Sequence, residues 1–124
     1  TFAHGACVIQ EQTTDTVRNV VKANGGYPIS DEACAFLTRN KLKLRLAGVS
    51  TVLSGASVGW VNLSLINSNN TISFAQHSAT YVNTGTASMN IADELLYKAI
   101  SDAVQKLDYQ QALREIKEIE AKRK

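Results

Sequence analysis

The sequence predicts an α+β domain of two layers, a three-stranded antiparallel meander with N-terminal helices and two C-terminal helices packed on one face. Three observations carry this reading. Lys41-Leu42-Lys43-Leu44-Arg45-Leu46 alternates cation and leucine, the period of a strand with one face buried. Ile91, Ala92, Leu95, Leu96, Ala99, Ile100, Ala103, Val104 and Leu107 form a broad stripe opposite Asp93, Glu94, Lys98, Asp102 and Lys106, the period of an amphipathic helix. The helical patterns lie before and after the strand patterns rather than between them, which separates α+β from a βαβ order. A chain of 124 residues fits one domain around one core, spanning 1–124.

Residues 1–12 show no period and are expected to form an irregular arm anchored by Val8 and Ile9. Two short helices are expected within 13–40. Thr13 or Thr14 caps the first, Asp15 sits at its positive pole, Val17, Val20 and Val21 mark its buried face, and Asn24-Gly25-Gly26 ends it. Ser30 caps the second, with Asp31 and Glu32 in its first turn, Cys34, Phe36 and Leu37 inside, and Arg39-Asn40 at its end. The antiparallel sheet is expected over 41–82: a first strand at 41–46, a turn region from Gly48 to Gly55, a second strand from Ala56 to Asn67, and a return strand from Thr71 to Val82. Asn67-Ser68-Asn69-Asn70 reads as the hairpin turn, because Asn tolerates positive φ and bonds its own backbone. The C-terminal helices are expected over 90–124, the first capped by Asn90 with Asp93 and the second by Asp108 with Gln111.

Charge is distributed unevenly. Residues 41–90 carry three bases and no acid, while 91–124 carry seven of each. From Leu46 to Ala92 no Asp, Glu, Lys or Arg occurs in 47 residues, of which 20 are Ser, Thr, Asn or Gln. Uncharged polar strands of this kind point to an extracytoplasmic protein, periplasmic or secreted. Cys7 and Cys34 agree, since two cysteines allow one disulfide across a loop of about 27 residues; two buried free thiols are the alternative. The start at Thr1, with no basic and apolar leader, fits a processed chain. The uncharged run from Leu46 to Ile66 follows three cations and holds Gly55 and Gly59 in GxxxG spacing. Its Ser, Thr and β-branched residues favour strands over a membrane-spanning helix.

Little in the chain suggests catalysis. His4 and His77 are the only histidines, and no Gly-X-Ser-X-Gly elbow, phosphate loop or His-Glu-X-X-His pattern occurs. The acids of the last two helices have solvent-face spacing with i,i+4 partners. His4, Cys7, Cys34 and His77 lack the close paired spacing of zinc motifs, so no metal or cofactor is expected. Lys41, Lys43 and Arg45 read as the guard of a sheet edge rather than a nucleic-acid contact. Asn62-Leu63-Ser64 and Asn69-Asn70-Thr71 match the glycosylation sequon, a match that chance supplies in so Asn-rich a region.

The function these features favour is a non-enzymatic interaction module. It would use the uncharged sheet face carrying Trp60, Asn62, Ser64, His77 and Tyr81 to bind a protein partner or a second copy of itself. The alternative is a small-ligand or enzymatic site around His77, Trp60 and Tyr81. A third reading lays the last helix on a membrane through Lys117, Lys122, Arg123 and Lys124, against which Glu115, Glu118 and Glu120 argue.

Overall fold

The computed structural model describes the backbone of residues 2–4 and 7–123 and the side chains of 8–123. Its elements in chain order are β1 (Phe2–His4), β2 (Cys7–Ile9), β3 (Glu11–Gln12), α1 (Asp15–Ala23), α2 (Asp31–Arg39), β4 (Leu42–Leu53), β5 (Ala56–Asn67), β6 (His77–Asn83), α3 (Met89–Lys106) and α4 (Tyr109–Lys122). The class is α+β as the sequence predicts. The sheet is larger than the predicted meander: four strands in the order β3-β4-β5-β6, with β3 parallel to β4 and the other pairs antiparallel.

The expected irregular arm is therefore corrected. β1 and β2 pair as a small antiparallel ladder, and β3 lies alongside β4 with Glu11 opposite Leu44 and Gln12 opposite Arg45. These strands are too short for an alternating pattern to register in the sequence. β3 also displaces β4 from the edge in that region, so Lys43 and Arg45 do not guard a sheet edge but stand on the sheet's outer face.

The two short helices follow their caps. Thr14 Oγ1 accepts from Val17 N at 3.5 Å, and Ser30 Oγ accepts from Ala33 N at 3.1 Å. Gly26 N donates to Val21 O at 3.0 Å to close α1, and Asn40 donates to Phe36 O from both its backbone (3.1 Å) and its side chain (2.8 Å) to close α2.

The region expected to turn at 48–55 is strand almost throughout. β4 and β5 pair without interruption from Leu42 with Asn67 to Leu53 with Ala56. Only Ser54 and Gly55 form the turn, with φ of 50° and 80°, the two-residue hairpin geometry that matches strand twist. The glycines within the strands make room for helices. A Cβ on Gly59 would fall on the backbone of Leu95 and Leu96, and one on Gly48 would lie 2.7 Å from Trp60 O and 3.0 Å from Val17 Cγ2. α3 rests directly on the sheet for this reason.

The return strand is shorter than expected. Ile66 bridges to Ile72, but the regular ladder begins only at Leu63 with His77, so the chain holds two extra residues between these pairings. Ser73 secures the bulged segment: its backbone N donates to Leu65 O at 2.9 Å, and its Oγ accepts from Leu65 N at 3.1 Å.

α3 starts at Met89 with Ser88 at its cap position, not at Asn90 with Asp93. Ser57 of the sheet bonds the amide of the cap residue itself, as the N3 side chain of a capping box does: its Oγ accepts from Ser88 N at 3.0 Å and donates to Thr86 O at 2.6 Å. Asp93 instead accepts a 2.6 Å bond from Ser50 Oγ. α4 is capped as expected, Asp108 Oδ1 accepting from Gln111 N at 3.0 Å.

The core lies between the sheet and the helices. Leu44, Leu46, Val61, Leu63 and Leu65 are buried against Val17 and Val21 of α1 and Leu96, Ala99, Ile100 and Ala103 of α3. Tyr109 closes the lower end, donating to Val104 O at 2.6 Å and meeting the Phe36 ring edge-on at 6.3 Å.

Candidate functional site

Strand alternation and register divide the sheet into two faces. On the helix side stand Leu44, Leu46, Gly48 and Ser50 of β4, Ser57, Gly59, Val61, Leu63 and Leu65 of β5, and His77, Ala79 and Tyr81 of β6. The outer face carries Ala47, Val49, Thr51 and Leu53, then Val58, Trp60 and Asn62, then Ser78, Thr80 and Val82. Trp60 lies between Val49 and Thr80, and Val58 between Thr51 and Val82. Val49, Leu53 and Val82 are 43, 59 and 55% exposed and Trp60 is half-buried, so the apolar part of this face meets solvent.

The five residues expected on one interaction face therefore separate. Trp60 and Asn62 lie on the outer face, and His77 and Tyr81 on the helix side. Ser64 shares the outer face by alternation but is only 2% exposed, near the end where Ile66 and Ile72 pair and Asn62 Nδ2 donates to Gln76 at 2.8 Å. The residues the sequence reading missed are Val49, Thr51 and Leu53, which it assigned to a turn. The signal that could have found them is the pairing of Val49, Thr51 and Leu53 at every second position.

This division also removes the common pocket of the small-ligand reading. Trp60 is on the opposite side of the sheet from His77 and Tyr81, so the three cannot line one cavity. Clefts of about 360, 220 and 300 Å³ open elsewhere: between α1 and the start of α3, between β2 and the start of β4, and beside α4. None of these three is lined by His77, Trp60 or Tyr81. Among the described residues no three His, Cys, Asp or Glu side chains converge as a metal site, and no helix is long and apolar enough to cross a membrane. The run from Leu46 to Ile66 is the β4–β5 hairpin.

Tyr81 has charged company instead. Lys98 Nζ lies 4.8 Å from the centre of its ring. Asp102, bonded to Lys106 at 2.8 Å, is held below the usual carboxylate range by that bond first, with Tyr81 and His77 adding to the effect. Lys106 is raised by the same bond.

The acids of α4 are not all on a solvated face, as their spacing suggests. Glu120 Oε1 accepts from Thr71 Oγ1 at 2.5 Å and Asn67 Nδ2 at 2.8 Å, and Glu115 accepts from Ala75 N at 2.7 Å. These bonds fasten α4 to the bulged segment. Glu120 is held below the usual range by the hydrogen bonds from Asn67 and Thr71. Cys34 is fully buried in α2, and β2 runs beside α2; the side chain of Cys7 lies outside the described residues, as does that of His4.

No protein-family profile matches the chain, and no curated protein does. Among solved structures it is similar to PelC dodecamers from Paraburkholderia phytofirmans, at 17 and 16% identity with TM-scores of 0.41 and 0.40, covering 80% of this chain and 92% of that one. It is also similar to a minor lipoprotein from Acinetobacter baumannii, at 11% identity and a TM-score of 0.32 over 93% of both chains. These TM-scores all lie below 0.5.

Proposed function

We propose that this chain is a non-enzymatic, extracytoplasmic interaction module, and that the partner of its outer sheet face is a second copy of itself. The observation that carries the reading is the character of that face. From Ala47 to Leu53, across Val58 and Trp60 to Val82, it holds no charged residue, and its Val, Leu and Trp side chains meet solvent. An exposed sheet face normally carries the charges that keep a monomer soluble.

A second copy fits because an uncharged patch meets itself without like-charge repulsion, as a two-fold interface requires. With the axis between the faces and across the strands, Lys43 and Arg45 of each copy fall at opposite ends of the pair. Covering Trp60 removes aromatic surface from water, while Thr51, Thr80 and Ser78 supply hydroxyls for bonds across the interface. The extracytoplasmic setting is supported by the long uncharged run; a Cys7–Cys34 disulfide, which the neighbouring courses of β2 and α2 would allow, is part of the same proposal.

Sedimentation velocity over a range of concentrations tests the proposal. The unmodified chain should reach at least twice the 13.4 kDa monomer mass, and Trp60→Glu should shift its association to markedly higher concentration with an unchanged circular dichroism spectrum. A chain that stays monomeric at the highest concentration reached would contradict it.

A further inference from the structure

The outer edge of β6 is a surface distinct from the sheet face. β6 is the last strand in the sheet order, so one row of its backbone amides and carbonyls points away from β5. Among the described residues no hydrogen bond from a loop or a side chain reaches the backbone of 77–83. The usual guards of such an edge are missing, since His-Ser-Ala-Thr-Tyr-Val-Asn contains no Lys, Arg, Asp, Glu or Pro.

We infer that this edge takes the β6 strand of a second copy, paired antiparallel about a two-fold axis at Thr80. That register sets the large Tyr81 opposite the small Ala79 of the other copy, Val82 opposite Ser78, and Asn83 opposite His77, with no charge in any pair. The helices above agree with it. α3 crosses the sheet from Ser50 of β4, over Gly59 of β5, to Tyr81 of β6, so its second half is the part that faces the added strand.

Charge fixes the register further. α3 runs opposite to β6, from Ser88 at the Ser57 level past Leu96 at the Gly59 level; Lys98 stands over Tyr81, and Asp102, one helical turn on, is carried toward the Ala79 level. The two-fold exchanges these levels. Lys98 of each copy then stands at the level of Asp102 of the other, twice per dimer, where it joins Lys106 on that carboxylate, and a pairing slipped along the edge loses both contacts. The edge dimer does not depend on the sheet face, because Trp60 and its neighbours stay uncovered in it.

The test is made in a Trp60→Glu background, which removes the face contact and so separates the two readings. There the chain should still dimerise at high concentration. Lys98→Glu and Asp102→Lys, each alone, place like charges in both contacts and should weaken the dimer by about tenfold or more. Mixed in equal amounts, they should form a heterodimer near the parent affinity, because the two reversed charges then face each other across the axis with opposite sign. Circular dichroism confirms that each variant is folded, and hydrogen exchange supplies a readout free of substitutions on α3: β6 amides should gain protection only as concentration rises. Loss of all association in the Trp60→Glu background would overturn the inference, and so would a mixture no tighter than its components or β6 exchange independent of concentration.

Discussion

Gly59 lies directly beneath the backbone of Leu96, at a distance that leaves no room for a Cβ atom on the sheet side. This contact sets how closely α3 approaches the sheet, and with it the position of Lys98 and Asp102 over β6. Gly59→Ala meets main chain rather than the end of a flexible side chain. It is expected to cost about 3 kcal/mol or more. Gly85→Ala, whose new Cβ would come no closer than 3.4 Å to Asn83 Oδ1, should stay within about 0.5 kcal/mol. Urea denaturation of the two variants compares them.

Glu120 gives the fold a defined acid sensitivity. Its folded-state pKa is lowered from 4.5 by bonds from Asn67 and Thr71, so its contribution is complete above 4.5 and is lost as pH falls through the lowered value. Glu120→Gln should therefore flatten the acid limb of the stability profile below pH 4.5 relative to the unmodified chain. Thermal unfolding at closely spaced pH values measures this. Asp102 contributes in the same direction from 3.8 downward and remains in both proteins, so their difference isolates Glu120.

Leu44 and Lys43 are neighbours with opposite environments, the leucine fully buried and the lysine on the outer face. Leu44→Ala should cost about 2–5 kcal/mol, against roughly 0.5 kcal/mol for Lys43→Ala. Equal denaturation midpoints would contradict the face assignment on which both proposed interfaces rest.

The alternation that identifies Leu44 also shows why some of the fold is legible in the sequence and some is not. Where a period runs over several residues, as at 41–46 and along α3, the buried face can be read directly. The caps at Thr14, Ser30 and Asp108 are local and equally readable. β4 beyond Leu46 is obscured because Gly48, Ser50 and Thr51 have turn chemistry, whereas the use of Gly48 and Ser50 depends on α1 and α3 packing above them. Ser57 as a partner of the cap residue, and Glu120 as a latch, join residues about 30 and 50 positions apart, which no local pattern encodes. The separation of Trp60 from Tyr81 follows from register, and register is set across strands rather than along them.

A Cys7–Cys34 disulfide predicts an intact mass lower by two protons before reduction than after it. Reduction should also lower the unfolding midpoint, since closing a loop of this length contributes on the order of 3 kcal/mol. Labelling of two thiols in the native, unreduced chain would contradict the bond and weaken the extracytoplasmic reading.

Trp60 is the only tryptophan, so its fluorescence reports on the outer face alone. If a second copy covers that face, the emission maximum should move to shorter wavelength and acrylamide quenching should fall as concentration rises, in step with the dimer fraction from sedimentation. Emission and quenching that stay constant while the mass doubles would show association through another surface and contradict the central proposal.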